Sequence, residues 1–159
     1  MKKNSLLAFV LLALFACHNH TDNDKQLQAR IDSLETRLAD TYKPGFGEFM
    51  SSIQIHHAKL WFAGQNQNWK LADFEINEIK ESLDDISKYC TDRIESKSLE
   101  MIKNPLDSVG NAIQHQNLQQ FKSTYILLTN TCNNCHQQTE HEFNVITIPK
   151  TPPVSNQKF

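Results

Sequence analysis

An all-α protein is predicted by three features of this chain of 159 residues. Apolar residues recur at intervals of three and four through long polar–apolar stretches, the period of a helix with one buried face. Glycine is scarce, with 4 in the whole chain. The connections between the stretches are short, which makes successive helices antiparallel neighbours, as in an up-down-up-down four-helix bundle.

The N-terminus is read first. Met1 to Asn4 carries two lysines, and an apolar run of 11 residues follows from Ser5 to Phe15. That run is too short to span a membrane and suits a signal-peptide core. Leu14-Phe15-Ala16-Cys17 then resembles a bacterial lipobox, although the position of Phe15 is usually small. Two readings follow. Either residues 1–16 are removed and Cys17 is lipidated, or the chain is cut after Ala16 without a lipid. The first is preferred, because Cys17 stands where the lipid would be added. Both predict export, the first with an anchor on the periplasmic side of a bacterial membrane.

Residues 18–26 are polar and read as a tether. A short helix is expected over 24–41, where Leu27, Ile31, Leu34 and Leu38 are spaced by four, three and four. That is a coiled-coil seam of under three heptads. It serves either a homodimer or a stiff stalk between membrane and domain. Lys43-Pro44-Gly45 breaks the chain, so residues 17–43 form the stalk, 44–142 the domain and 143–159 a tail.

In the domain, a first helix is predicted from Phe46 to Gly64. Phe46, Phe49, Met50, Ile53, His57, Leu60 and Trp61 share its apolar face. His57 lies within about 20° of the centre of that face and His56 about 80° off it. A second helix from Trp69 to Cys90 has the inner stripe Ala72, Ile76, Ile79, Leu83, Ile86 and Cys90, with acidic and polar residues elsewhere. A less regular third helix occupies 91–117. Its break is expected at Asn104-Pro105, after Leu99 and Ile102 and before Leu106, Val109 and Ile113. The last helix starts at Leu118. Phe121, Tyr125, Leu128, Cys132 and Cys135 continue its stripe at spacings of three and four. The tail from Phe143 is extended, with Pro149, Pro152 and Pro153.

Cys132-Asn133-Asn134-Cys135-His136 is the Cys-x-x-Cys-His pattern of covalent c-type haem attachment. The two thiols add to the haem vinyl groups, and His136 is then placed to be the proximal axial ligand. One haem c is expected. Both thiols fall on the apolar stripe, so the haem is directed into the core. Of the 4 cysteines, Cys17 is the lipid site and Cys90 completes a core stripe, so no disulfide is expected. Covalent haem attachment in bacteria takes place outside the cytoplasm, the compartment the N-terminus indicates.

This arrangement resembles the cytochrome c-prime superfamily, four-helix bundles with Cys-x-x-Cys-His near the end of the last helix. It is most similar to small exported c-type cytochromes. The stretches that carry the resemblance are His57 to Gly64, Asn68-Trp69, Cys132 to His136, Pro152-Pro153 and Ser155-Asn156-Gln157. They span residues 45–159. The resemblance implies the bundle fold, the haem roles of Cys132, Cys135 and His136, and a residue of the first domain helix facing the open side of the iron. It does not fix the activity, since the superfamily includes electron carriers and gas binders.

His57 is the first candidate for the distal axial position, Met50 the alternative and His56 a weak third. An inward His or Met is also an ordinary core residue. A His57 ligand gives a lower potential than a Met50 ligand, and an open site takes a diatomic gas. The leading expectation is a membrane-tethered electron carrier working with redox partner proteins, not an enzyme. The second is a five-coordinate gas-binding protein with a distal pocket of Phe46, Phe49 and Ile53. The third is a haem-free dithiol or zinc protein, with His141 as a weak fourth zinc ligand, and a structural lipoprotein comes last. No carboxylate pair or nucleophile–base set points to hydrolysis. The formal charge is −2, and without residues 1–16 the basic residues fall from 16 to fourteen against 18 acids. That balance argues against a nucleic-acid partner.

Overall fold

The computed structural model describes residues 18–41 and 44–159. The segment 1–16 expected as a signal peptide and Cys17, expected as a lipid site, lie outside the described residues. The chain divides into two units, Met1–Lys43 and Pro44–Phe159.

In the first unit, α1 runs His18–Thr41. The polar run expected as a tether is thus already helical from His18. Polarity alone does not oppose a helix, since Gln, Lys and Ala are good helix formers. Gln28 Nε2 donates to Asp32 Oδ1 one turn on, at 2.9 Å. Leu27, Ile31, Leu34 and Leu38 form an exposed stripe along α1.

The second unit holds α2 (Phe46–Gln65), α3 (Trp69–Tyr89), α4 (Ile94–Ser98), α5 (Glu100–Gln114) and α6 (Leu118–Gln138). The described residues contain helices and no strand, so the all-α reading holds. No helix among them is long and apolar enough to cross a membrane. α2 packs on α3 and α5 on α6, while α3 meets α5, α2 meets α6 and α4 meets α6.

Two corners of the same chemistry set the helix pairs. Gln67 between α2 and α3, and Gln116 between α5 and α6, both adopt left-handed backbone, φ 58° and 52°. Each is followed by an asparagine cap. Asn68 Oδ1 accepts from the Leu71 amide at 3.3 Å, and Asn117 Oδ1 from the Gln120 amide at 3.0 Å. A cap contributes about 1 kcal/mol, which offsets the roughly 1–2 kcal/mol cost of a left-handed non-glycine residue.

The third segment differs from expectation. The break falls at Leu99, between α4 and α5, and α5 runs through Pro105. Proline removes one backbone bond and crowds the preceding turn. The buried stripe Ile102, Leu106, Val109 and Ile113, with Pro105 itself buried, holds α5 continuous across it.

The core is fullest where α2 meets α6. Phe121 and Tyr125 are fully buried and stack on Trp61 with ring centroids 6.3 and 4.8 Å away. Trp69 meets Phe121 edge-on at 6.1 Å. Gly64 makes this approach feasible, because a Cβ there would lie 2.1 Å from the Phe121 ring. Cys90, the residue that ends α3, is buried with a free thiol.

Candidate functional site

A cavity of about 300 Å³ opens inside the second unit, between α2, α3, α5, the end of α6 and the tail. That is the lower end of the range for cofactor pockets, about 300–1,000 Å³. From α2 come Phe46, Met50, Ile53 and His57; from α3, Ile79 and Leu83; from α5, Ile102. α6 supplies Leu128, Cys132, Cys135 and His136, and the tail supplies Asn144 and Ile146. Cysteines, imidazole and both distal candidates therefore border one space. Phe49, expected in that wall, is instead buried in the core and does not line the cavity. On a helix it lies about 60° from Phe46, whereas Met50, Ile53 and His57 all fall within about 40° of it.

The two thiols sit on the α6 stripe below Leu128. Cys135 is buried and Cys132 is partly buried against the core. Burial and the neighbouring Cys135 push the Cys132 thiol up to about 12. Burial and the charge of Glu95 raise Cys135. Both stay protonated at neutral pH.

His136, at the cavity edge, has its Nδ1 2.6 Å from the Asn144 carbonyl oxygen. A carbonyl only accepts, so Nδ1 carries a proton, and in the neutral ring Nε2 then keeps its lone pair. Metal-ligating histidines are held in this way, their second nitrogen donating to a carbonyl or carboxylate. Asn133, inside the Cys-x-x-Cys-His run, holds the same tail. Its Nδ2 donates to the Ile146 carbonyl at 2.9 Å and its Oδ1 accepts from the Ile146 amide at 2.8 Å.

His57 is buried, 4 % exposed, and stacks on Tyr125 at 4.5 Å. Its Nε2 lies 2.9 Å from Thr129 Oγ1 and its Nδ1 2.9 Å from the Tyr125 hydroxyl. The Tyr125 hydroxyl also reaches the His57 carbonyl at 2.7 Å, and Thr129 Oγ1 the Tyr125 carbonyl at 3.0 Å. Burial lowers His57 to about 4, so the ring is neutral at pH 7. A neutral ring and two hydroxyls supply three protons for these four contacts. At most three of the four are hydrogen bonds at one time, and each ring nitrogen of His57 has a hydroxyl within reach. Met50, partly buried against the core, borders the cavity.

Two further charged groups were not singled out by sequence patterning. Arg93 pairs with Glu95 at 2.8 Å, and its guanidinium lies 5.1 Å from the Phe46 ring centre, at one end of the cavity. Glu75, on a helix whose acids were expected outside the core, is fully buried. Its Oε2 lies 2.7 Å from His56 Nδ1, and its Oε1 has no hydrogen-bond partner among the described residues. Glu75 sits between Ala72 and Ile76 on the inner stripe of α3, and that position was its available signal. The His57 partners were legible only as a pair one turn apart on α6, Tyr125 and Thr129.

His115 points its Nδ1–H at the Asn111 carbonyl on its own helix and is exposed. His141 borders the cavity, with Nδ1 turned to the Thr139 carbonyl. Among the described residues, no three His, Cys, Asp or Glu side chains converge as a metal cage. Two thiols and an oriented imidazole instead border one largely apolar cavity. No protein-family model matches the chain, and no curated protein or solved structure matches it.

Proposed function

We propose that the second unit is a c-type cytochrome domain of the four-helix-bundle kind, with α2, α3, α5 and α6 as its helices, and that it carries electrons. One observation carries this reading: the Cys132–His136 run borders a largely apolar cavity within the domain, faced by Phe46, Met50 and Ile53. The residues fit a haem. Cys132 and Cys135 would hold it as thioethers, each protonated thiol supplying its sulfur to one vinyl carbon and its hydrogen to the other. His136, with a bare Nε2, would be its proximal ligand. The haem would supply an iron that alternates between ferrous and ferric forms. Ile79, Leu83 and Ile102 exclude water on the far side, and Arg93 offers a cation at one end of the cavity.

The raised thiols speak against a redox dithiol, whose attacking cysteine needs a lowered pKa. The absence of a three-donor cluster among the described residues gives zinc no support. The gas-binding reading has one observation in its favour. Each nitrogen of His57 already faces a hydroxyl, of Thr129 or of Tyr125, which leaves Met50 as the other candidate ligand, and without it the site is open.

Export through residues 1–16, a lipid on Cys17 and residence on the periplasmic side of a membrane belong to the same proposal. So do redox partner proteins and pairing of two copies through α1, whose seam is exposed. The test is spectral. The full chain, matured in a host that attaches haem c, is reduced with dithionite and given carbon monoxide. A low-spin reduced spectrum unmoved by the gas supports the electron carrier, and loss of that spectrum in Met50→Ala names the ligand. A high-spin spectrum that shifts with the gas assigns the gas-binding role.

A further inference from the structure

The space between the two cysteines of a Cys-x-x-Cys-His run only has to set their separation, so its side chains are free for other work. Here Asn133 is committed. Its carboxamide pairs with both backbone polar atoms of one residue, donating to the Ile146 carbonyl and accepting from the Ile146 amide at 2.9 and 2.8 Å. The partners fix the amide's orientation, since one accepts only and the other donates only. Two residues earlier in the tail, the Asn144 carbonyl takes the His136 Nδ1–H at 2.6 Å. The turn between is closed by the Asn144 amide on the His141 carbonyl and the His141 amide on the His136 carbonyl, at 2.9 and 2.7 Å. Beyond it, Ile148 packs on the core and Phe159 meets Phe62 at 5.7 Å.

We infer that Asn133 is a positioning residue for His136. It pins the tail at Ile146 so that the Asn144 carbonyl sets the His136 tautomer, with Nε2 left bare as a metal donor. This deepens the haem reading and rests on it for its purpose, though the hydrogen-bond chain itself does not. Without the pin, the tail is held only by the His136–Asn144 turn and from Ile148 onward, and the Asn144 carbonyl loses its support on the C-terminal side. Free histidine in water favours the opposite tautomer, with the proton on Nε2, so the pin has a measurable consequence. A carbonyl acceptor on Nδ1–H also raises the donor strength of Nε2, which favours ferric iron.

The experiment compares the haem-free full chain with Asn133→Leu, which keeps the shape and removes both bonds, and Asn133→Asp, which keeps only the acceptor. The readout is the tautomer of His136 from its imidazole nitrogen shifts, at a pH where the ring is neutral. The wild type should hold mainly the Nδ1–H form, Asn133→Leu mainly the Nε2–H form, and Asn133→Asp a mixture. In the haem-loaded chain, the midpoint potential should rise from wild type through Asn133→Asp to Asn133→Leu. Faster tryptic cleavage at Lys150 in Asn133→Leu, with the His136 tautomer unchanged, would reduce Asn133 to a tail anchor and overturn the inference. A tautomer that moves as expected in a chain that never takes haem would sustain the inference about His136 and sink the cytochrome reading.

Discussion

Replacing Gly64 by alanine sets helix propensity and packing against each other. Gly64 lies in α2 and is buried against α6. Propensity alone predicts that alanine stabilises a helix interior by about 1 kcal/mol. Packing predicts the reverse. The new Cβ would stand 2.1, 2.2 and 2.6 Å from three atoms of the Phe121 ring. Phe121 cannot retreat easily, being fully buried among Trp61, Trp69 and Tyr125. The helices must therefore separate locally. Overpacking of this kind costs about 1–3 kcal/mol, and three contacts this short place it at the upper end. Less the propensity gain, the expected loss is about 2 kcal/mol. For a domain of this size that lowers the unfolding midpoint by about 8 °C. Thermal unfolding of the full chain, followed by circular dichroism, measures it. The double variant Gly64→Ala with Phe121→Leu should lose less than the two single changes together, because the smaller side chain makes room. An unchanged or higher midpoint for Gly64→Ala would refute the packing argument.

Three other expectations follow from the same structure. His57, lowered to about 4 by burial against an ordinary value of 6.5, makes the unfolded chain the better proton binder between those values. Its contribution is present above pH 6.5 and lost as pH falls toward 4, by up to about 3 kcal/mol, and urea midpoints of His57→Gln should lack that part of the pH slope. In the haem-free chain, Cys132, pushed up from 9.0 to about 12, should react with iodoacetamide about a thousandfold more slowly than a free thiol at pH 8; a fast-reacting Cys132 would revive the dithiol reading. The α1 seam, with Ile31 and Leu38 at one heptad position and Leu27 and Leu34 at the other, also brings Arg30 opposite Glu35 of a parallel second copy. Leu34→Asp should then make a sedimenting dimer monomeric, and a wild-type chain that sediments only as a monomer would leave the stripe as a stalk.

Much of the fold was legible because periodicity reports burial. The helix limits at Phe46, Trp69 and Leu118, the stripes on α3 and α6, and the core position of Cys90 all follow from apolar spacing and asparagine caps. The miss at Pro105 has a physical origin: a local rule about backbone bonds was outweighed by burial of the stripe on both sides of it. The helical start at His18 was hidden because a polar surface helix and a tether have the same composition. At the site, Cys132, Cys135 and His136 were visible as a motif, and His57 and Met50 as inward positions. Their surroundings were not. The hold of Thr129 on His57, and of Asn144 on His136, depends on contacts 72 and 8 residues apart in the chain. Glu75 was hidden because an acid beside an apolar stripe reads as solvent-facing unless its partner on α2 is known. Phe49 was misplaced because a shared helical face is broad, whereas the cavity meets its other side, toward Gly47, Ser51 and Gln54.

The covalent bond between chain and haem is the most direct test of the account. Full chain matured in a host that attaches haem c should be denatured, stripped of non-covalent haem and weighed intact by mass spectrometry. The account predicts a mass greater than the polypeptide by one haem, reduced to the bare polypeptide in a chain with Cys132→Ala and Cys135→Ala together. A wild-type chain that carries no added haem mass under conditions that load a control cytochrome would contradict it.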